Sequence, residues 1–233
     1  MTDTVAQLND QLTDQLIVAG RKAVAAGLVI GSGGNLSARL PGADECVVTC
    51  SGSWLDELTA EQFSVVGIAD GVVRRGHPTP SSEVPLHLAT YRVRPDANAL
   101  IHLHPQTSVL LVALGLPIRL LTIDQAYYVR QVRSTPFIQS GTPELAQAGA
   151  DAVADGCNCV ILGHHGCSVV ADSVELAYKR AANLEEAARA TLTMLQLGDT
   201  TTVCPPSYLE TIRAKEAAAQ VGQSQVGQSQ VGH

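Results

Sequence analysis

Apolar side chains recur at Leu8, Leu12, Leu16, Val18 and Val24 among polar neighbours, which predicts an amphipathic helix over residues 4–27 ending near Gly27. The GSGG stretch at 31–34 reads as a loop, and NLSARL and CVVTC after it read as short strands. Leu58 to Phe63 reads as a helical turn, and SVVGIADGVV predicts a hairpin turning at Asp70-Gly71. A better-defined helix follows: Ser81 and Ser82 are N-cap types, Glu83 and Pro85 suit a first turn, and Val84 to Arg94 fill the helix before Pro95 stops it. ALIHLH then reads as a strand and TSVLLVALG as a helix, while residues 117–140 show no clear period. Thr142-Pro143-Glu144 opens a helix that closes at Gly156, and CVILG is a buried strand. A capping box at Asp172-Ser-Val-Glu175 starts the longest helix, running to about Gly198.

Strands and helices interleave without a break in composition, which predicts one α/β domain over residues 1–219. From Gln220 the chain repeats QVGQS, a low-complexity polar tail over 220–233. No apolar run reaches the length of a membrane span, and the polar N-terminus lacks the layout of a signal peptide. Six cysteines form no CxxC pair, so the expectation is a reduced cytoplasmic protein without a disulfide framework. A net charge of −7 and only 3% aromatic residues disfavour a nucleic-acid partner, which would want a basic face and stacking platforms.

Against so few aromatics the seven histidines stand out. His102 and His104 are two apart on a predicted strand, so both imidazoles leave the same face while Leu103 points to the core. That is how a strand presents two ligands to one metal ion, although two solvent-facing histidines on an edge strand would read the same way. His164 or His165, at the end of the CVILG strand, can add a third imidazole, with Gly163 and Gly166 letting the backbone turn. A structural metal site from Cys157, Cys159, His164 and Cys167 competes, but nothing spaces the four as a closed site, and cysteine is commonly a small core residue. Glu83 opens a helix after two serines, where a carboxylate ordinarily only complements the helix dipole. Its weight rises if Ser81 and Ser82 cradle an anion, because helix N-termini bind phosphate through free N–H groups. The loops Gly33-Gly34-Asn35 and Ser51-Gly52-Ser53 have the same character.

In their order, GSGGNLS, TCSG, PSSEVPLHLATYRVRPDANALIHLHP and ILGHHG resemble the class II, zinc-dependent sugar-phosphate aldolases, a family that includes the L-fuculose-1-phosphate type and a 4-epimerase branch. The resemblance covers residues 31–170. It implies an α/β/α layered fold around a central, mostly antiparallel sheet, and a cyclic homotetramer with the site near a subunit interface. It implies His102, His104 and His165 as ligands of a Zn²⁺ ion, with Mn²⁺ or Co²⁺ as alternatives, and leaves His164 as a neighbour. Glu83 matches the residue that carries the proton and can touch the metal. Gly34, Asn35, Ser51, Gly52, Ser81 and Ser82 match the phosphate-binding loops. The epimerase branch usually has Asp where Glu83 stands, which favours the aldolases.

The implied partner is a small sugar phosphate, cleaved to dihydroxyacetone phosphate and an aldehyde. A Lewis-acid ion held by neutral imidazoles stabilises the enediolate that such a cleavage leaves, and Glu83 serves as its general acid and base. A Schiff-base route is disfavoured: the three lysines, Lys22, Lys179 and Lys215, lie on predicted helices or near the tail among charged neighbours. The family's aldolases use tyrosines to protonate the leaving aldehyde; Tyr128 lies in the right region, in a poorly matching stretch. TCSG also stands where TPSG is commoner. Decarboxylation of a hydroxy-aromatic acid and 4-epimerisation are the alternative reactions on the same site. A non-enzymatic adducin-like domain would be expected to have lost the ligand histidines, and here all three stand with Glu83.

Overall fold

A computed structural model describes residues 2–215, with side chains from residue 9 onward. The repeat over 220–233 lies outside the described residues. One sheet is built from β1 (Asn35–Ala38), β2 (Glu45–Thr49), β3 (Phe63–Gly67), β4 (Val73–Gly76), β5 (Ala99–Leu103), β6 (Val132–Thr135), β7 (Cys159–Leu162) and β8 (Gly166–Ala171). Its order is β4-β3-β2-β1-β5-β8-β7-β6. Every neighbouring pair is antiparallel except β6 with β7. The helices are α1 (Thr2–Ala25), α2 (Val84–Val93), α3 (Gln106–Ala113), α4 (Ile123–Val129), α5 (Pro143–Val153) and α6 (Val174–Gln196).

Strand alternation sorts the core into two layers. Leu36, Ala38, Ile101, Leu103, Ile161 and Val169 face Leu16 of α1 and Ala177, Ala181 and Leu184 of α6. On the opposite face Val48, Leu100 and Val170 meet Leu88 and Tyr91 of α2, and Val160 and Leu162 meet Leu145 and Val153 of α5. The result is the α/β/α layering around a mostly antiparallel sheet that the resemblance implies.

Several local expectations change. On α1, Leu16 is fully buried but Val18 is 48% exposed. Two residues turn the helix by about 200°, so the pair cannot share a face. The cap of α6 is Ser173, whose hydroxyl accepts from the Leu176 amide, and Asp172 instead accepts from the Ser173 hydroxyl. The featureless stretch 117–140 holds α4 and β6, two short elements separated by Arg130 at φ 64°. The residues after His165 form β8, central in the sheet and buried along its whole length, so no polar alternation announces it.

Candidate active site

β5 lies between β1 and β8, and Leu103 enters the α1/α6 core while His102 turns to the opposite face, toward Glu83 at the start of α2. His102 is fully buried and His104, just past the strand, is half-buried. Their Nε2 atoms are 3.0 Å apart. His165 comes from the tight turn between β7 and β8, where its amide donates to the Leu162 carbonyl.

The glycines around that turn act differently from expectation. Neither Gly163 nor Gly166 has a positive φ; His164 carries it, at 57°. What these positions need is room. A Cβ on Gly166 would stand 2.4 Å from the Leu103 carbonyl oxygen and 2.6 Å from the His104 ring. A Cβ on Gly163 would stand 2.7 Å from the Thr135 carbonyl oxygen. Gly166 therefore lets three imidazoles close on one point.

Glu83 sits at the N-cap position of α2 rather than in its first turn, and makes no capping hydrogen bond. Its carboxylate reaches sideways instead: Oε2 is 3.1 Å from His102 Nε2 and Oε1 is 3.3 Å from His165 Nε2. Asn35 Nδ2 donates to Oε2 at 2.9 Å. Ligand atoms of Glu83, His102, His104 and His165 all lie within 4.8 Å of one another, the one such cluster among the described residues. The cysteine alternative falls away here, because Cys157, Cys159 and Cys167 are buried free thiols outside that cluster.

The electrostatics suit a cation. Burial pushes the Glu83 carboxyl up, but hydrogen bonds and charge from His102, charge from His165 and the bond from Asn35 outweigh it and hold it below the ordinary range. Burial, then the neighbouring His102 and His165, push His104 down to about 4, and burial with His102 pushes His165 down as well. Both rings are thus neutral near pH 7 and offer lone pairs. Buried Oε1 of Glu83 has no hydrogen-bond donor, despite its closeness to His165. Three converging imidazoles with an orphaned carboxylate oxygen fit a divalent ion of borderline softness.

Beside this centre opens a cavity of about 190 Å³. Three loops line it: Ser32 to Asn35, Cys50 to Gly52, and Ser81 to Glu83, together with His104 and His165. So Gly34, Asn35, Ser51, Gly52, Ser81 and Ser82, chosen from the sequence as an anion cradle, are brought together next to the histidines. Gly34 and Gly52 have φ of 76° and 74°, the left-handed backbone of tight turns. The residue sequence reasoning missed is Ser140, which also lines the cavity. Its signal was present: Ser140-Gly141 repeats the Ser51-Gly52 dipeptide ahead of the capped helix α5, and Gly141 again has a positive φ of 73°. Tyr128 is not brought there. It sits half-buried on α4, edge-on to Tyr127 at 5.0 Å between ring centroids, and does not line the cavity.

Comparison with known proteins places this three-layer α/β domain in a family. The profile of the Class II Aldolase and Adducin N-terminal domain matches residues 14–192, and the chain belongs to that family. It is a class II aldolase-type enzyme. L-fuculose phosphate aldolase of Methanocaldococcus jannaschii is 34% identical over 178 residues, covering 76% of this chain and 94% of its own. The 3-oxo-tetronate 4-phosphate decarboxylase of Escherichia coli is 33% identical over 189 residues, covering 79% and 87%. Among solved structures, YgbL from Klebsiella pneumoniae superposes with a TM-score of 0.73 at 34% identity, over 80% of this chain and 90% of that one.

Proposed function

We propose that this chain cleaves a phosphorylated ketose, of the L-fuculose 1-phosphate kind, to dihydroxyacetone phosphate and an aldehyde. The observation that carries the reading is the shared cavity: the loops suited to a phosphate and the three-histidine centre face one small space. His102, His104 and His165, with Glu83 beside them, would hold a Zn²⁺ ion, which would supply the Lewis acidity that lowers the cost of negative charge beside a carbonyl. Backbone and hydroxyl donors of Gly34, Ser51, Gly52, Ser81 and Ser82 hold the phosphate and fix the carbon chain against Glu83. When the bond between the carbon next to the carbonyl and the following alcohol carbon breaks, its electron pair stays on the phosphate-bearing fragment as an enediolate. The alcohol carbon leaves as the aldehyde, its hydroxyl proton passing by way of solvent to the Glu83 carboxylate. Glu83 then delivers a proton to the carbon left behind. Tyr128 is the residue the resemblance gives for the aldehyde's proton. Because this chain keeps it away from its own cavity, that role belongs to a cytoplasmic homotetramer in which α4 of one subunit meets the next subunit's site.

The decarboxylase among the relatives supports a second reading. A 3-oxo acid phosphate that loses its carboxyl group leaves the same phosphorylated enediolate, so the same residues serve with carbon dioxide as the leaving group. A hydroxy-aromatic acid fits less well, since serines and glycines line the cavity and offer a planar ring little to stack on. The test is a substrate panel of phosphorylated ketoses, phosphorylated 3-oxo acids, a pentulose phosphate and hydroxy-aromatic acids, assayed for aldehyde, carbon dioxide and epimer. Aldehyde release from a ketose phosphate supports the first reading; carbon dioxide or epimer alone overturns it.

A further inference from the structure

Helix α2 repeats a polar side chain every fourth residue, at Glu83, His87 and Tyr91, and so carries all three on one face. Strand β1 repeats one every second residue, at Asn35 and Ser37, both on one face of the sheet. The two stripes meet inside the protein. Ser37 and His87 are fully buried and Tyr91 nearly so. None of these three side chains has a place in the proposed reaction.

They form an unbroken series that ends on Glu83. Tyr91 Oη is 2.7 Å from Ser37 Oγ, and Ser37 Oγ is 2.6 Å from His87 Nδ1. His87 Nε2 is 2.5 Å from Asn35 Oδ1, and Asn35 Nδ2 is 2.9 Å from Glu83 Oε2. The donor inventory orders every proton in it. An ionised carboxylate only accepts, so Asn35 must turn its NH₂ to Glu83 and its oxygen to His87. That oxygen only accepts, so His87 must carry its proton on Nε2. Nδ1 is then a lone pair, which takes the Ser37 hydroxyl proton, and the Ser37 oxygen takes that of Tyr91. Burial favours the same arrangement, pushing His87 down to about 3 and Tyr91 well up, so the ring stays neutral and the phenol keeps its proton.

We propose that His87 is a positioning residue, which through Asn35 fixes the Glu83 carboxylate in the orientation from which it moves its proton. Without a donor at His87 Nε2, the Asn35 amide loses what distinguishes its two ends and can turn its oxygen toward a carboxylate. Two acceptors then face each other, and Glu83 loses its hold.

The role rests on Glu83 as proton carrier, so the experiment has one arm without substrate. The full-length, metal-loaded protein is labelled with ¹⁵N-histidine, and His87 is assigned by its disappearance in His87→Leu. A neutral ring protonated on Nε2 is expected; a proton on Nδ1, or on both nitrogens, overturns the proposal. The second arm compares turnover of the preferred substrate. His87→Leu lowers kcat by about 10- to 100-fold, as loss of a supporting hydrogen bond behind a metal-site residue does, with KM and metal content unchanged. His87→Gln restores most of the rate, because its amide nitrogen can donate to Asn35. Ser37→Ala, a small deletion, gives a partial loss and keeps the comparison open if His87→Leu fails to fold. A wild-type kcat in His87→Leu, or in Ser37→Ala where His87→Leu does not fold, overturns the proposal. So does a His87→Gln no faster than His87→Leu, or a rate loss that merely follows metal loss. If the wild type turns over nothing, the proposed reaction fails on its own, and the nitrogen spectrum still decides the proton order.

Discussion

Gly33 lies so close to His104 that a Cβ on it would stand 2.9 Å from the imidazole Nδ1. The Gly33 loop and the histidine cluster are therefore one packed unit, since moving the loop residue moves the His104 ring. Gly33 has no positive φ, so alanine is allowed by its backbone and the conflict is one of space. Gly33→Ala is expected to lower metal affinity by about tenfold and leave the melting temperature of the metal-free protein nearly unchanged. Competition with a chelator measures it; wild-type affinity would show that the ring yields at no cost.

His102 and Glu83 should separate on metal content. His102 is fully buried, with its Nε2 near both Glu83 and His104. His102→Ala removes a ligand and leaves Glu83 facing an empty space, so bound divalent metal, measured by elemental analysis, should fall far below one per chain. Glu83→Gln keeps three imidazoles and should keep its metal, while turnover drops by about 10²- to 10⁴-fold, the usual worth of a general acid–base group. Metal retained in His102→Ala would move the centre elsewhere, and undiminished turnover in Glu83→Gln would strip it of the proton.

How much of this was legible beforehand follows from the range of the interactions. The convergence of His102 and His104 follows from period-two alternation on one strand, and Ser81 to Glu83 follows from helix-start chemistry; both signals are local. His87 had its own local signal, the fourfold spacing with Glu83 and Tyr91, but its partners Asn35 and Ser37 lie about fifty residues away and give it meaning only once β1 meets α2. β8 was missed for the opposite reason, since burial on both faces removes the alternation that marks a strand. Gly166 was noticed, but its cause is the crowding of Leu103, His104 and His102 around it, which no spacing reveals.

The start of α3, the residue stretch directly after His104, depends on a distant side chain. Its N-cap is Pro105, which offers no capping group. Glu185 of α6, itself buried, supplies the acceptors: Oε1 takes the Thr107 amide at 3.1 Å, and Oε2 takes the Ser108 amide at 2.9 Å and its hydroxyl at 2.8 Å. Glu185→Ala leaves these buried donors unmet and should cost about 1–3 kcal/mol of stability, read from denaturant unfolding of the metal-free protein. Glu185→Gln keeps an acceptor and should lose less. Equal losses in the two variants would mean that shape rather than capping sets the cost.

Acid should weaken the metal-free fold through its buried histidines, in a window set by their shifts. The fold holds His87 and His104 neutral, with burial pushing them from 6.5 to about 3 and about 4. The unfolded chain protonates both near the ordinary value. Below about pH 6.5 the unfolded state therefore binds more protons than the folded one, and stability falls as pH falls; above it these groups contribute no slope. Glu83 acts in the same direction only below its ordinary 4.5, where the unfolded carboxyl protonates first and the folded one stays charged. Between pH 6.5 and 4.5 these two histidines, with His165 acting in the same direction, thus act without Glu83, and at pH 5 His87 and His104 should each take up about one proton on unfolding. Calorimetric unfolding in buffers of different ionisation enthalpy counts those protons. His87→Leu should reduce the uptake at pH 5 by about one, and the same count in wild type and variant would mean that His87 already carries its proton in the fold.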